Sequence, residues 1–245
     1  MTDHIYKHPR LYLNEPFEQN GVIPLGLGQA HYLRNVLRKG SGEQLRVFNG
    51  KDGEWLAHID TIGKKGGDII LDDCIRPQTK AGAARHLYFS PIKKERMAFL
   101  IEKSVELGVT DLHPVLMSRS VMRKVNEERT CAHIIEAAEQ SERLDIPVLH
   151  PLQTLAEAVA GRNVDVPLYA CLERNDQTKP ISSYPMKSDA AFLVGPEGGF
   201  DNDEMARIVA HENVKPIGLG DTILRAETAS IACLSYAAFI SLCET

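Results

Sequence analysis

The sequence predicts an α/β protein in two parts: a small β-barrel, then a larger and mostly parallel sheet with helices on both faces. Three observations carry this. Before residue 77 the chain is built of short alternating runs broken by Asn/Asp–Gly turns, which is the pattern of hairpins. Pro77–Ala84 is then rich in Pro, Gly and Ala and reads as a linker. After it, strand-like and helix-like segments alternate, the signature of a parallel sheet covered by helices. The expected boundaries are a first domain over 1–76, a linker over 77–84 and a second domain over 85–245.

Leu11-Tyr12-Leu13 is the first expected strand. Gln29–Leu37 has helical spacing through Ala30, Leu33 and Leu37, and Gly40-Ser41-Gly42 stops it. Gln44–Phe48 and Trp55–Ile62 alternate around an Asn49–Gly53 turn, and a second turn at Lys64–Asp68 leads to Ile69-Ile70-Leu71. In the second part the expected order begins with strand His86–Phe89 and helix Lys93–Leu107, ended by Gly108 as its C-cap. Strand Leu112–Leu116 follows, then a helix capped by Asn126 and running to about Arg143. Leu152–Val159 is helical and stops at Gly161; Leu168–Leu172 and Ala190–Val194 are strands. Helix Asp203–His211, strand Val214–Ile217 and helix Ala229–Leu242 complete the chain.

The 245 residues are 43% hydrophobic and 25% charged, an ordinary globular composition. Ile231–Leu242 is apolar but short for a bilayer span, and Met1–Lys7 has no apolar signal core, so a cytoplasmic protein without a membrane partner is expected. The five cysteines are scattered and form no C-x-x-C pair, which argues against a disulfide scaffold or a structural zinc site; most are expected to be small buried apolar residues. Net charge is −5, unevenly spread: residues 1–80 carry 11 basic and 10 acidic side chains, residues 81–245 carry 17 and 23. A nucleic-acid partner would therefore have to be met by local patches.

Two glycine-rich loops carry the chemistry. Gly195-Pro196-Glu197-Gly198-Gly199-Phe200 ends the run Ala190–Val194, and Gly218-Leu219-Gly220-Asp221-Thr222-Ile223-Leu224-Arg225-Ala226-Glu227-Thr228-Ala229 ends Val214–Ile217. Ligands of open α/β sheets gather at the carboxyl ends of strands, so paired loops there suggest one shared small-molecule pocket. Glycine lets backbone N–H groups approach a ligand closely, and a helix capped by Asp201 or Asn202 would add a positive dipole end. Leu219, Ile223 and Leu224 would suit a flat adenine ring. The plain alternatives are a tight strand-to-helix turn for the first loop and a local Arg225–Glu227 surface ion pair for the second. The first loop is neither a G-x-G-x-x-G nor a Walker pattern, so it predicts no phosphate cradle.

These stretches resemble the cofactor loops of the ribosomal RNA small-subunit methyltransferase E family of the SPOUT superfamily. The family's Gly-Pro-Glu-Gly-Gly-Phe hexapeptide is matched by Gly195–Phe200, and its Leu-Gly-x-x-Ile-Leu-Arg-x-Glu-Thr-Ala signature by Leu219–Ala229. Lys94-Glu95-Arg96-Met97, Ile101–Val109 and Glu136–Arg143 are similar as well, with Glu142 standing where Gly or Ser is common. His31-Tyr32-Leu33-x-x-Val36-Leu37-Arg38 is similar to the family's RNA-binding PUA-like barrel. The resemblance implies a C-terminal trefoil-knotted sheet that holds S-adenosylmethionine bent, and a homodimer in which both subunits build each RNA site. The reaction it implies is methylation of uridine nitrogen 3 in small-subunit ribosomal RNA, free or in the assembled small subunit. It further implies cofactor contacts from Leu172, Val194, Gly195, Pro196, Glu197, Gly198, Gly199, Gly218, Leu219, Gly220, Ile223, Leu224, Arg225, Thr228 and Ala229.

The imide of uridine must lose a proton before its nitrogen attacks, so catalysis reduces to positioning and to stabilising the resulting anion. Arg225 is the candidate for the second task; Glu197 or Glu227 either accepts a proton or ties the loops together. RNA phosphates need cations. The expected contacts are Arg10, Arg34, Arg38, Lys39 and Arg46, with His31 stacking on a base, and Lys93, Lys94, Arg119, Arg123 and Lys124 in the second part. Arg34 and Arg38, spaced i and i+4, would share a helix face. The other histidines show no ligand spacing, and no metal site is expected. Two rival readings remain: a ribose 2′-O-methyltransferase of the same superfamily, whose third loop is typically of Ser-Leu-Asn type, and a non-catalytic ribosome-assembly factor.

Overall fold

A computed structural model describes residues 2–79, 82–173 and 176–243. Lys80 and Ala81 of the expected linker lie outside the described residues. The chain divides into two compact units, residues 1–80 with 138–146, and residues 81–137 with 147–245. The piece 138–146, assigned by its sequence to the second domain, thus belongs to the first unit.

The first unit holds β1 (Arg10–Tyr12), β2 (Val22–Leu25), α1 (Leu27–His31), β3 (Gln44–Phe48), β4 (Glu54–Gly63) and β5 (Gly66–Arg76). They form a five-stranded sheet in the order β1-β3-β4-β5-β2 around a core that includes Leu11, Leu13, Leu33, Val47, Ile59 and Leu71. β2 was not anticipated, because Pro24 argues against a strand; as an edge strand it tolerates the missing N–H. The expected helix Gln29–Leu37 is α1 followed by a π-helical turn over Tyr32–Val36, closed by Leu37 N donating to Tyr32 O at 3.0 Å.

The second unit contains β6 (Arg85–Phe89), α2 (Lys94–Glu106), β7 (Asp111–Leu116), α3 (Glu127–Gln140, except its last three residues, which belong to the first unit), β8 (Val148–Leu149), β9 (Gln153–Thr154) and α4 (Leu155–Ala160). It continues with β10 (Leu168–Cys171), β11 (Lys179–Pro180), β12 (Ala190–Val194), α5 (Asn202–Ala210), β13 (Val214–Gly218) and α6 (Ala226–Cys243). Its strands are all parallel in the order β11-β13-β10-β12-β6-β7-β8, with β9 also pairing β7. Successive residues of a strand face opposite sides, and all five residues of β12 are buried, as a doubly covered sheet requires. Leu168, Ala170, Ala191 and Leu193 pack with Leu155, Val159 and Ile208 from α4 and α5. The other parity, including Leu87, Phe89 and Phe192, is equally buried; α6 packs on β6 and β12, and α2 packs against α6.

Three expectations change. α6 runs 18 residues rather than the 14 of the expected Ala229–Leu242, and is long and apolar enough to cross a bilayer by composition; here it packs as a core helix, burying Ala229, Cys233, Leu234 and Ala237. Cys74, Cys131 and Cys243 are exposed, and of the five cysteines Cys233 alone is buried. α3 begins after its Asn126 cap but stops at Gln140, three residues short of the expected end, with Glu142 in a left-handed conformation at φ 57°.

Candidate functional site

β12 and β13 flank β10, so the loops that leave their carboxyl ends meet beside the end of β10. A cavity of about 460 Å³ opens there, within the range of small-molecule sites. Of the expected ligand contacts, Leu172, Val194, Gly195, Pro196, Glu197, Gly198, Gly199, Ile223, Leu224 and Ala229 line it. Gly218, Leu219, Gly220, Arg225 and Thr228 do not border it; Arg225 and Thr228 are exposed at the start of α6. The lining also brings in Arg119, Cys171, Glu173, Phe200, Asn202, Met205 and Ala226, which the sequence did not single out for this pocket.

The first loop folds back on itself, with Gly199 N donating to Pro196 O at 2.8 Å and Gly199 at φ 68°, a backbone that favours glycine. Phe200 turns inward beneath it. A Cβ on Gly195 would stand 2.8 Å from the Phe200 ring, so only glycine permits this return. Asp201 then caps α5: its carboxylate accepts from Glu204 N at 2.7 Å while Glu204 Oε2 accepts from Asp201 N at 3.0 Å. The Ser118 hydroxyl and the Glu204 N–H hold the Asp201 carboxyl below the usual carboxylate range. Glu204 Oε1 also accepts from Ser118 N at 2.7 Å, and the Arg119 guanidinium donates to Gly198 O at 2.8 Å. The loop is thereby fixed from the segment after β7.

Glu197 and Glu227 converge on Arg96 of α2. Its guanidinium lies 3.2 Å from Glu197 Oε1 and 3.7 Å from Glu227 Oε1, joining the two glycine loops through one cation. Glu227 is 7% exposed, and its Oε2 is buried without a hydrogen-bond partner among the described residues. Arg225 is not part of this ion pairing and stands exposed beside it, so the Arg225–Glu227 surface pair does not form. The sequence offered Arg96 only inside a similar stretch, with no role; its separation by about a hundred residues from Glu197 hid the contact. At the floor of the cavity Cys171 Sγ lies 3.5 Å from Cys233 Sγ, and this hydrogen bond together with burial pushes the Cys233 thiol up.

The cations expected to meet RNA divide sharply. Arg10 and Arg46 are 7% and 4% exposed and converge on the fully buried Glu54, at 2.8 and 3.2 Å. Arg10 also stacks over Phe48 and donates to the Ala138 carbonyl near the end of α3. Both are structural ions, and the expectation that they touch RNA is corrected. Lys39 pairs with Glu43 at 2.8 Å. Arg38 sits beyond the π-helical turn at φ 57°, so it and Arg34 do not share a helix face, although both are exposed, as is His31. In the second unit Lys93, Lys94, Arg123 and Lys124 are exposed. The histidines, without ligand spacing in sequence, include three that meet: His86, His113 and His150, with Asp111.

A family model described as an RNA methyltransferase domain matches residues 80–238, and one described as an RNA methyltransferase PUA domain matches residues 26–72. The chain is 37% identical over 243 residues to the ribosomal RNA small subunit methyltransferase E of Rickettsia conorii, covering 97% of this chain and 98% of that protein. Among solved structures, a Legionella pneumophila protein in complex with its bound cofactor SAM superposes with a TM-score of 0.86 at 29% identity, covering 94% and 96% of the two chains. The ribosomal RNA small subunit methyltransferase E of Neisseria gonorrhoeae, bound to S-adenosyl methionine, gives 0.82 at 28% identity with the same coverage.

Proposed function

Because the chain belongs to the RNA methyltransferase family that includes these small-subunit methyltransferase E proteins, we propose that it transfers a methyl group from S-adenosylmethionine to nitrogen 3 of a uridine in small-subunit ribosomal RNA. The observation that carries this reading is the cavity walled by both glycine loops, with Arg225 exposed in the chain between the lining residues Leu224 and Ala226. The trefoil crossing, a cytoplasmic location and a homodimer belong to the same proposal. Phe99 of α2 and Phe239 and Leu242 of α6 support the dimer, being 46%, 69% and 74% exposed on two helices that pack together. Sedimentation of Phe239→Asp as a monomer, against a wild-type dimer, tests it.

The residues present fit the cofactor. Leu172, Val194, Ile223 and Leu224 supply apolar walls for a flat ring, and Gly199, with open space where a Cβ would stand, leaves the backbone bare. The unpartnered Glu227 Oε2 is a buried acceptor for a polar or cationic group. When bound, S-adenosylmethionine supplies a methyl group already activated by its sulfonium. The protein's own tasks are orientation and charge stabilisation. Orientation is the larger, for which about 7–11 kcal/mol is attainable. As the uridine nitrogen gives up its proton, negative charge spreads to the base oxygens, and the Arg225 guanidinium is free to offer charge-assisted hydrogen bonds there. Glu197 and Glu227, both held by Arg96, are assigned to fixing the loops.

Arg225→Ala tests the division of labour. Cofactor affinity by calorimetry should change less than about threefold, while single-turnover methyl transfer to small ribosomal subunits falls about 10²–10³-fold, the usual cost of one oxyanion-type donor. Near-normal turnover would contradict the role.

A further inference from the structure

We propose that His86, Asp111 and His113 form a binding site for a divalent transition-metal ion of the zinc class, distinct from the cofactor cavity. β6 and β7 are parallel neighbours, with His86 paired to Asp111 and Tyr88 to His113, and His150 continues the row just past β8. Residues paired across a parallel ladder point to the same side of the sheet, so these side chains share one face. His86 is level with Ala191 of β12, three residues before Val194 at the mouth of the cofactor cavity, or about 10 Å back along the strands.

The distances suit a tetrahedral ion. Bonds of about 2.0–2.1 Å to histidine and carboxylate atoms put neighbouring ligand atoms about 3.3–3.4 Å apart. His86 Nδ1 lies 3.2 Å from His113 Nε2 and 3.6 Å from Asp111 Oδ2, and the three ligand atoms all fall within 4.8 Å of one another. Two imidazoles and one carboxylate are a recurrent ligand set for zinc-class ions, with a fourth position left to water. The remaining contacts are those of an outer shell. His150 Nε2 binds the other carboxylate oxygen, Asp111 Oδ1, at 2.7 Å and so aims Oδ2 toward the histidines. Tyr88 and His150 stack on the His113 ring at 4.1 and 3.9 Å, fixing its plane. Without an ion, His86 Nδ1 and His113 Nε2 are hydrogen-bonded to each other along the same 3.2 Å line. Such an ion would tie β6 to β7 at the ends opposite the cofactor loops.

The test uses the untagged full chain after chelator treatment, titrated with Zn²⁺ and separately with Co²⁺. The expected result is one Zn²⁺ per chain, a raised Tm, and visible absorption of a tetrahedral Co²⁺ complex. In His86→Ala, partly exposed and so tolerant of change, affinity should fall at least about 100-fold with the circular dichroism intact. His150→Ala, which removes only the aiming contact, should cost about 10–100-fold. Failure to saturate at one ion overturns the proposal. So does binding that survives both His86→Ala and Asp111→Asn, which would place the ion on other groups such as the exposed cysteines.

Discussion

Arg96 is the residue on which the two halves of the candidate site depend. Its guanidinium faces a half-exposed and a buried carboxylate, so its removal leaves Glu227 buried, charged and without its cation. Losing one partner of a buried ion pair is costly, whereas an exposed pair contributes little. Arg96→Ala is therefore expected to weaken S-adenosylmethionine binding at least tenfold in calorimetry, with Arg96→Lys restoring part of it; unchanged affinity in Arg96→Ala would show that the bridge is incidental. The residues of the two loops were legible in sequence because they are contiguous and glycine fixes their backbone. Arg96 and Arg119 were not, since each reaches the site from a distant element. Arg10 and Arg46 show the opposite case. A basic side chain is usually solvated, and nothing local to either announces the buried Glu54 carboxylate, 44 residues from Arg10. Glu142 shows a third case. Its left-handed backbone explains why glycine suits that position, and its carboxylate, 2.9 Å from Arg46, offsets part of the strain.

Strands and helices were read well where periodicity is long, and poorly where an element is short. β3, β12 and β13 fall close to their expected limits, whereas the two-residue strands β8, β9 and β11 carry no periodic signal. The π-helical turn after α1 also escaped notice, because its apolar spacing resembles that of an α-helix. The element that most directly positions the site is α5, whose Asp201 cap follows the first loop immediately. Asp201→Ala should destabilise the protein through the lost N-cap, seen as a lowered denaturation midpoint. Because the same turn anchors Phe200 under Gly195, cofactor affinity should fall with it. A stability loss with unaltered affinity would separate the cap from the pocket. The lowered Asp201 carboxyl sets the sign of the pH effect: its contribution is present above the unfolded value near 3.8 and is lost as pH falls through the lower folded value.

At the scale of the molecule, the chain divides into two units, and the return of residues 138–146 to the first of them was not legible in the sequence. That return depends on Arg10, Arg46 and Arg76, which bind the Ala138 carbonyl, the Glu142 carboxylate and the Glu142 carbonyl, contacts spanning 66 to 128 residues. With Arg10 and Arg46 committed to the interior, the cations left for RNA on the first unit are fewer, and the exposed Arg34 and Arg38 lead them. Reversing both to Glu should weaken binding to small-subunit RNA and lower the slope of log affinity against log salt by about 1–2, with S-adenosylmethionine affinity unchanged; an unaltered slope would remove them from the interface. The family accounts for a methyl donor and an RNA, and the uridine nitrogen is the step beyond it. Incubating the protein with labelled S-adenosylmethionine and unmodified small subunits, then identifying the modified nucleoside by mass spectrometry, addresses that step directly. The account predicts 3-methyluridine; a 2′-O-methylated nucleoside, or no transfer despite measurable cofactor binding, would contradict it.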